Sequence, residues 1–166
     1  MRFLLSFIFP VCVVLVGNQS IQTPAASPKG WQYEKTVDMS GAALYKATLA
    51  SENSPQFPYP FGGGSVVMLA IRTRNGSTNA YLEVSKGLFN HGFQSGKATI
   101  RFNAKPPVTY TLTAAANGRA NIVFFDTEQR LIRQIKESKT MIVQVAFAGQ
   151  PLIEARYKSA GLQWKQ

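Results

Sequence analysis

The chain has 166 residues, 18 basic and 8 acidic, with a formal net charge of +10, 45% hydrophobic residues, one cysteine and one histidine. That is the length of one average domain, long enough to bury most of its apolar surface. A lone Cys12 and a lone His91 exclude the usual Cys/His metal clusters and a disulfide framework, and loss of Cys12 with the amino-terminal segment would exclude a Cys–His nucleophile pair too.

The amino terminus has the pattern of a secretory leader. Arg2 precedes an apolar run over residues 3–16, broken only by Ser6 and Pro10. A membrane-spanning helix needs roughly 20 apolar residues, so the run suits a signal peptide better, and an uncleaved anchor is the other reading. Small and polar residues follow, with cleavage expected after Gly17 or near Ala25 and Ala26. We therefore divide the chain into a signal and processing region, 1–26, and a single domain, 27–166. Cys12 follows Val11 rather than a small residue, and is expected to leave with the leader rather than carry a lipid. Removing Arg2 as well leaves an excess of nine positive charges. Outside the cytoplasm, such a balance points to an anionic envelope polymer, lipid head groups or an acidic protein, and away from nucleic acid. The expected location is periplasmic or secreted, with membrane contact only through the leader or peripherally.

Residues 31–37 and 43–49 alternate in polarity and are expected to be the first two strands. Residues 51–65 carry Pro55, Pro58 and Pro60 and the triplet Gly62-Gly63-Gly64, which break ladders and helices. Phe57, Tyr59 and Phe61 in that loop either form a binding surface or pack over an open end of the fold. Residues 66–71 are apolar on both faces, as in a covered central strand. Asn75-Gly76 then marks a tight hairpin into 80–84, with Tyr81 and Glu83 facing outward. Residues 87–96 form a glycine-rich loop with Phe89 and Phe93.

The next strand places Ala98, Ile100, Phe102 and Ala104 on one face and Lys97, Thr99, Arg101, Asn103 and Lys105 on the other. Lys97, Arg101 and Lys105 would stand about 13 Å apart along a stripe of about 26 Å. The stripe reads either as a binding face for a row of anions or as lysine protection of an edge strand. Residues 108–112 and 121–125 are further strands, with 113–118 a loop between them. Asp126 is expected to cap a helix over about 127–138, with Gln129 in capping-box position and Leu131, Ile132 and Ile135 as its apolar stripe. A strand over 141–147 follows, and 153–157 closes the sheet. The expected fold is mainly β, an antiparallel β-sandwich of about nine strands with one short helix.

Catalytic signals are sparse. No serine stands in a nucleophile elbow, and Gly96-Lys97 lacks the glycine and hydroxyl residue of a phosphate loop. No metal or cofactor is expected. The 66–72 strand with its 74–77 turn, the 98–102 strand, Leu131-Ile132-Arg133-Gln134-Ile135, the 141–145 strand and Gly161-Leu162 resemble small exported bacterial envelope proteins. The nearest pattern is the periplasmic accessory proteins associated with type VI secretion, which carry a cysteine where Thr73 stands here. The resemblance implies an exported, non-enzymatic envelope protein and assigns no site residues. The leading expectation is a binding protein that meets an anionic envelope component or acidic partner through Lys97, Arg101 and Lys105, aided by Phe57, Tyr59, Phe61, Phe89 and Phe93. The alternatives are an inhibitor of an exported enzyme that inserts the 51–65 loop, and an envelope hydrolase using Glu83, Glu52 or His91.

Overall fold

The computed structural model describes residues 29–89 and 96–165; the expected leader lies outside them, as do His91 and Phe93. In chain order the elements are β1 (Gln32–Val37), β2 (Ala43–Ala50), β3 (Gln56–Phe57), β4 (Gly63–Gly64), β5 (Val67–Arg74), β6 (Ser77–Val84), β7 (Gly96–Phe102), β8 (Val108–Ala114), β9 (Ile122–Phe125), α1 (Glu128–Lys136), β10 (Met141–Val145) and β11 (Ile153–Tyr157). Nine of the strands form one antiparallel sheet in the order β1-β2-β5-β6-β9-β8-β7-β10-β11, and β3 pairs only with β4. The mainly β fold, with a single short helix among the described residues, is as the alternation in the sequence predicts. The sandwich-like arrangement comes from one continuous sheet that curls around its own inner face and does not close into a barrel.

Alternation places the core. Ala47 and Leu49 of β2, Leu69 and Ile71 of β5, Leu82 and Val84 of β6 and Ile100 of β7 are all buried in one cluster. Tyr110, Val143 and Tyr157 continue it across the other half of the sheet. Leu131, Ile132 and Ile135 of α1 enter the same cluster and cover what the curled sheet leaves open. Full burial of such side chains contributes about 1.5–3 kcal/mol each. The hairpin between β5 and β6 forms as the Asn-Gly pair predicts, with Asn75 at φ 50° and Gly76 at φ 74°. On the outer face, Tyr81 is only 6% exposed because Ala70, Ala115, Ile122 and Phe124 pack around it and the Arg72 guanidinium lies over its ring.

Three local expectations are corrected. The helix begins one residue later and is shorter, with Thr127 at the N-cap position and no capping side-chain bond. Asp126 accepts a hydrogen bond from Thr113 of β8 instead, so its carboxylate is taken by the sheet. The strand after the helix stops at Val145, and Phe147 forms an isolated bridge with Phe89. The expected loop over 113–118 is shorter, because β8 continues to Ala114.

The two edges of the sheet are β1 and β11, and both are clipped by side chains. The Asn53 carboxamide donates to the Glu154 carbonyl at 2.7 Å and accepts from the Arg156 amide at 2.8 Å, while the Glu52 amide donates to the Arg156 carbonyl at 2.7 Å. One asparagine thus supplies the donor and acceptor that a neighbouring strand would offer. The buried Tyr157 hydroxyl donates to the Val67 carbonyl at 3.1 Å, and burial pushes its pKa up. At the other edge, Trp31 Nε1 donates to the Ser159 carbonyl at 3.0 Å, and the Tyr33 hydroxyl bridges the Gly161 carbonyl and the Gln163 amide. Replacing Asn53 with alanine removes two of the bonds at the β11 edge. We expect it to destabilise the fold by about 1–3 kcal/mol in urea unfolding and to speed hydrogen exchange at the Arg156 amide. Unchanged exchange there would show that the asparagine clip is not what protects the edge.

Candidate binding surfaces

β7 lies inside the sheet, bonded to β8 on one side and β10 on the other. Its outward lysine therefore has no edge to protect, and that reading of the basic stripe is removed. The stripe itself is shorter than expected. The strand ends at Phe102 because Asn103 adopts φ 51°, where its side-chain oxygen accepts the Lys139 and Thr140 amides at 2.9 and 3.2 Å. Lys105 then falls in a turn closed by its own amide on the Phe102 carbonyl. Lys97 and Arg101 remain together on the outer face, about 13 Å apart, and Lys105 is off the strand.

Register defines what surrounds the two cations. Thr99 stands opposite Thr109 of β8 and Gln144 of β10, and Gln144 stands opposite Glu154 of β11. Arg101 stands opposite Ile142, which stands opposite Arg156. The face is thus mixed at its β11 end, where Glu154 accepts from Gln144 at 2.8 Å and from Arg156 at 3.3 Å. Those hydrogen bonds, with the charges of Arg156 and Arg101, hold the Glu154 carboxyl below its ordinary range. Lys97 and Arg101 belong to none of the four ion pairs among the described residues.

The loop aromatics separate. Phe57 is buried with its ring 5.2 Å from that of Phe147 in an edge-to-face contact, and Phe89 stacks on the same ring at 4.6 Å. Gly87, at φ 102°, lets the chain pass this group, since a Cβ there would meet the Phe57 ring at 3.2 Å. Phe61 packs partly against the core. Tyr59 alone among the expected loop aromatics that are described stands free, 94% exposed at the tip of the β3–β4 hairpin. Tyr81 lies on β6, three strands from β7, and does not reach the basic face.

Four of the eight acids sit in ion pairs. Glu83 meets Arg119, in the loop before β9, at 2.8 Å, Glu52 meets Lys158 at 2.7 Å, and Glu154 meets Arg156 of its own strand at 3.3 Å. Among the described residues, no three His, Cys, Asp or Glu side chains gather as a metal site. Two larger concave sites lie among the described residues. One, about 290 Å³, lies between the turn carrying Lys105, Pro106 and Pro107 and the helix end at Gln134, Glu137 and Ser138. The other, about 340 Å³, is walled by Tyr33 and Lys35 of β1, Tyr45 of β2 and the carboxy-terminal Trp164 and Lys165. The sequence reading missed this second cavity, because its walls come from three separate segments and Trp164 stands in no periodic pattern.

No family model, curated protein or solved structure matches the chain. No described helix is long and apolar enough to cross a membrane.

Asp38 organises the β1–β2 turn. Its carboxylate accepts from the Ser40 hydroxyl and the Ala42 amide in the β1–β2 turn and pairs with Arg74 of β5. The Ser40 and Ala42 bonds, followed by Arg74, lower its pKa from 3.8 to about 2. A carboxyl lowered on folding stabilises above its unfolded pKa, and the contribution disappears as pH falls through the folded value. Wild-type protein should therefore exceed Asp38→Asn in stability near neutral pH. The gap should narrow between pH 3.8 and about 2, as followed by urea midpoints; a gap that does not change with pH would assign the effect to packing.

Proposed function

We propose that the protein is an exported, non-enzymatic binding or accessory protein of the cell envelope that takes an anionic envelope component or an acidic protein partner on the outer face of β7. The observation that carries this is the pair Lys97 and Arg101. They project from an interior strand that needs no edge protection, and neither belongs to an ion pair among the described residues. Backbone pairing on both edges fixes the spacing of the two cations, so an anionic polymer meets a preformed array rather than mobile side chains on a loop. The excess of basic residues adds a long-range field of the same sign. The resemblance to periplasmic accessory proteins associated with type VI secretion, together with the leader-like amino terminus, supports an envelope role.

A second reading is favoured by one feature. Tyr59 is held out at 94% exposure on a hairpin whose base is anchored by buried Phe57. An anchored, projecting aromatic is what an inhibitor inserts into an enzyme cleft.

Replacing Lys97 and Arg101 together with glutamate should reduce retention on anionic envelope fractions by about tenfold or more at low salt. It should leave the melting temperature within a few degrees, since both side chains are exposed. Wild-type retention should itself fall as salt is raised. Undiminished retention of the double variant would overturn the β7 assignment. Loss of partner capture on replacing Tyr59 with alanine, with the β7 variant unaffected, would favour the inhibitor reading.

A further inference from the structure

The cavity between β1, β2 and the carboxy-terminal segment has the chemistry of a saccharide site. Tyr33 and Lys35 of β1 face the same side as Tyr45 and Ala47 of β2, because register places Tyr33 opposite Ala47 and Lys35 opposite Tyr45. Ala47 is fully buried, so this is the inner side of the sheet at its open end. The core beneath reaches only part of the way: Tyr45 is half-buried, while Tyr33 is 50% exposed. The terminal segment, which the Tyr33 hydroxyl fixes through Gly161 and Gln163, bounds the space over them on one side.

Three aromatic residues therefore surround a space of about 340 Å³. That volume lies in the range of small-ligand sites and is large enough for one or two sugar rings. Two cations stand at it. The Lys35 ammonium is 5.2 Å from the centre of the Tyr45 ring, and Lys165 follows Trp164 on the opposite wall. Glu34 and Lys46 also border the space, but they stand opposite each other in register and alternate toward the outer face. Trp164 supplies an independent observation. It is only 5% exposed, and its indole Nε1 is buried without a hydrogen-bond partner among the described residues. A buried donor left unpaired is costly and uncommon in a folded protein. An oxygen-rich occupant of the space that Trp164 lines offers it an acceptor while the terminal segment stays in place.

We propose that this cavity binds an anionic saccharide, one bearing a carboxylate or phosphate on the ring or its linkage. The half-exposed Tyr33 ring takes the apolar face of a sugar ring, Tyr45 holds the Lys35 ammonium at the site, and the two ammonium groups select negative charge. Neither an all-apolar ligand nor a cation satisfies both sets of groups. The site is separate from the β7 face and does not depend on the assignment of that face.

Titration calorimetry on the purified protein with tri-galacturonic acid tests the proposal, with a neutral galactose trisaccharide and poly-L-glutamate as comparators. Saturable binding of tri-galacturonic acid is expected, weakened about fivefold or more by Lys35→Ala with Lys165→Ala and by raised salt. Tyr45→Leu keeps an apolar side chain in the half-buried position but removes the ring, and should weaken binding while the protein still melts cooperatively. Indole emission should change on binding in a Trp31→Phe background, where Trp164 is the remaining tryptophan. The Lys97→Glu, Arg101→Glu variant should bind the trisaccharide as wild type does, so failure of the β7 reading and failure of this one give different results. Absence of saturable binding overturns the proposal. So does equal affinity for the neutral sugar, tighter binding of poly-L-glutamate, or binding that survives the Lys35 and Lys165 substitutions.

Discussion

A sheet of nine strands has more inner surface than one helix of nine residues can cover, and this mismatch governs the molecule. The inner face carries the apolar side chains of every second residue in eight strands, and leaving half of it in water would cost more than the fold can bear. The sheet answers by curling until its own two halves face each other, with α1 filling the remaining gap. Curling brings the edges toward each other without letting them pair. The seam therefore has to be satisfied by other groups, and the Asn53 clip, the Tyr157 hydroxyl and the Trp31 and Tyr33 bonds supply them.

The same constraint determines where binding surfaces occur. Strands in the middle of the sheet are bonded on both sides and present rigid outward rows, which is why Lys97 and Arg101 keep a fixed separation. Strands at the seam are backed by less core, and concave space forms there, between β1, β2 and the terminal segment. A flat charged row suits an extended polymer or a protein surface. A walled aromatic space suits one unit of such a polymer. Both surfaces share a positive sign, so the field that brings an anion to one also favours approach to the other.

Alternation in the sequence made most of the fold legible. The 98–102 strand, the Asn75-Gly76 turn and the apolar stripe of α1 each follow from local chemistry that the structure keeps. What remained illegible was mostly decided by single residues acting at long range. Asn103 in a left-handed conformation ends β7 three residues early, and its side chain is occupied by amides beyond the helix, so the expected stripe lost Lys105. Asp126 looks like a helix cap until β8 brings Thr113 beside it. Phe57 and Phe89 read as loop residues because nothing near them in the chain announces Phe147, the ring on which both converge. The aromatic cavity was hidden for a related reason: the β1–β2 hairpin sets Tyr33 near Tyr45, but Trp164 comes from the far end of the chain.

The bonds from Trp31 and Tyr33 to residues 159–163 place the beginning and the end of the described chain side by side. Tension applied between these two ends would load that short zipper of side-chain bonds one after another, rather than shearing the strand ladders together. The terminal segment would peel from β1 at low force while the rest of the sheet stayed intact. A protein tethered by its amino-terminal segment and pulled by its carboxy-terminal end would therefore open first at its aromatic cavity, making the grip there sensitive to mechanical load.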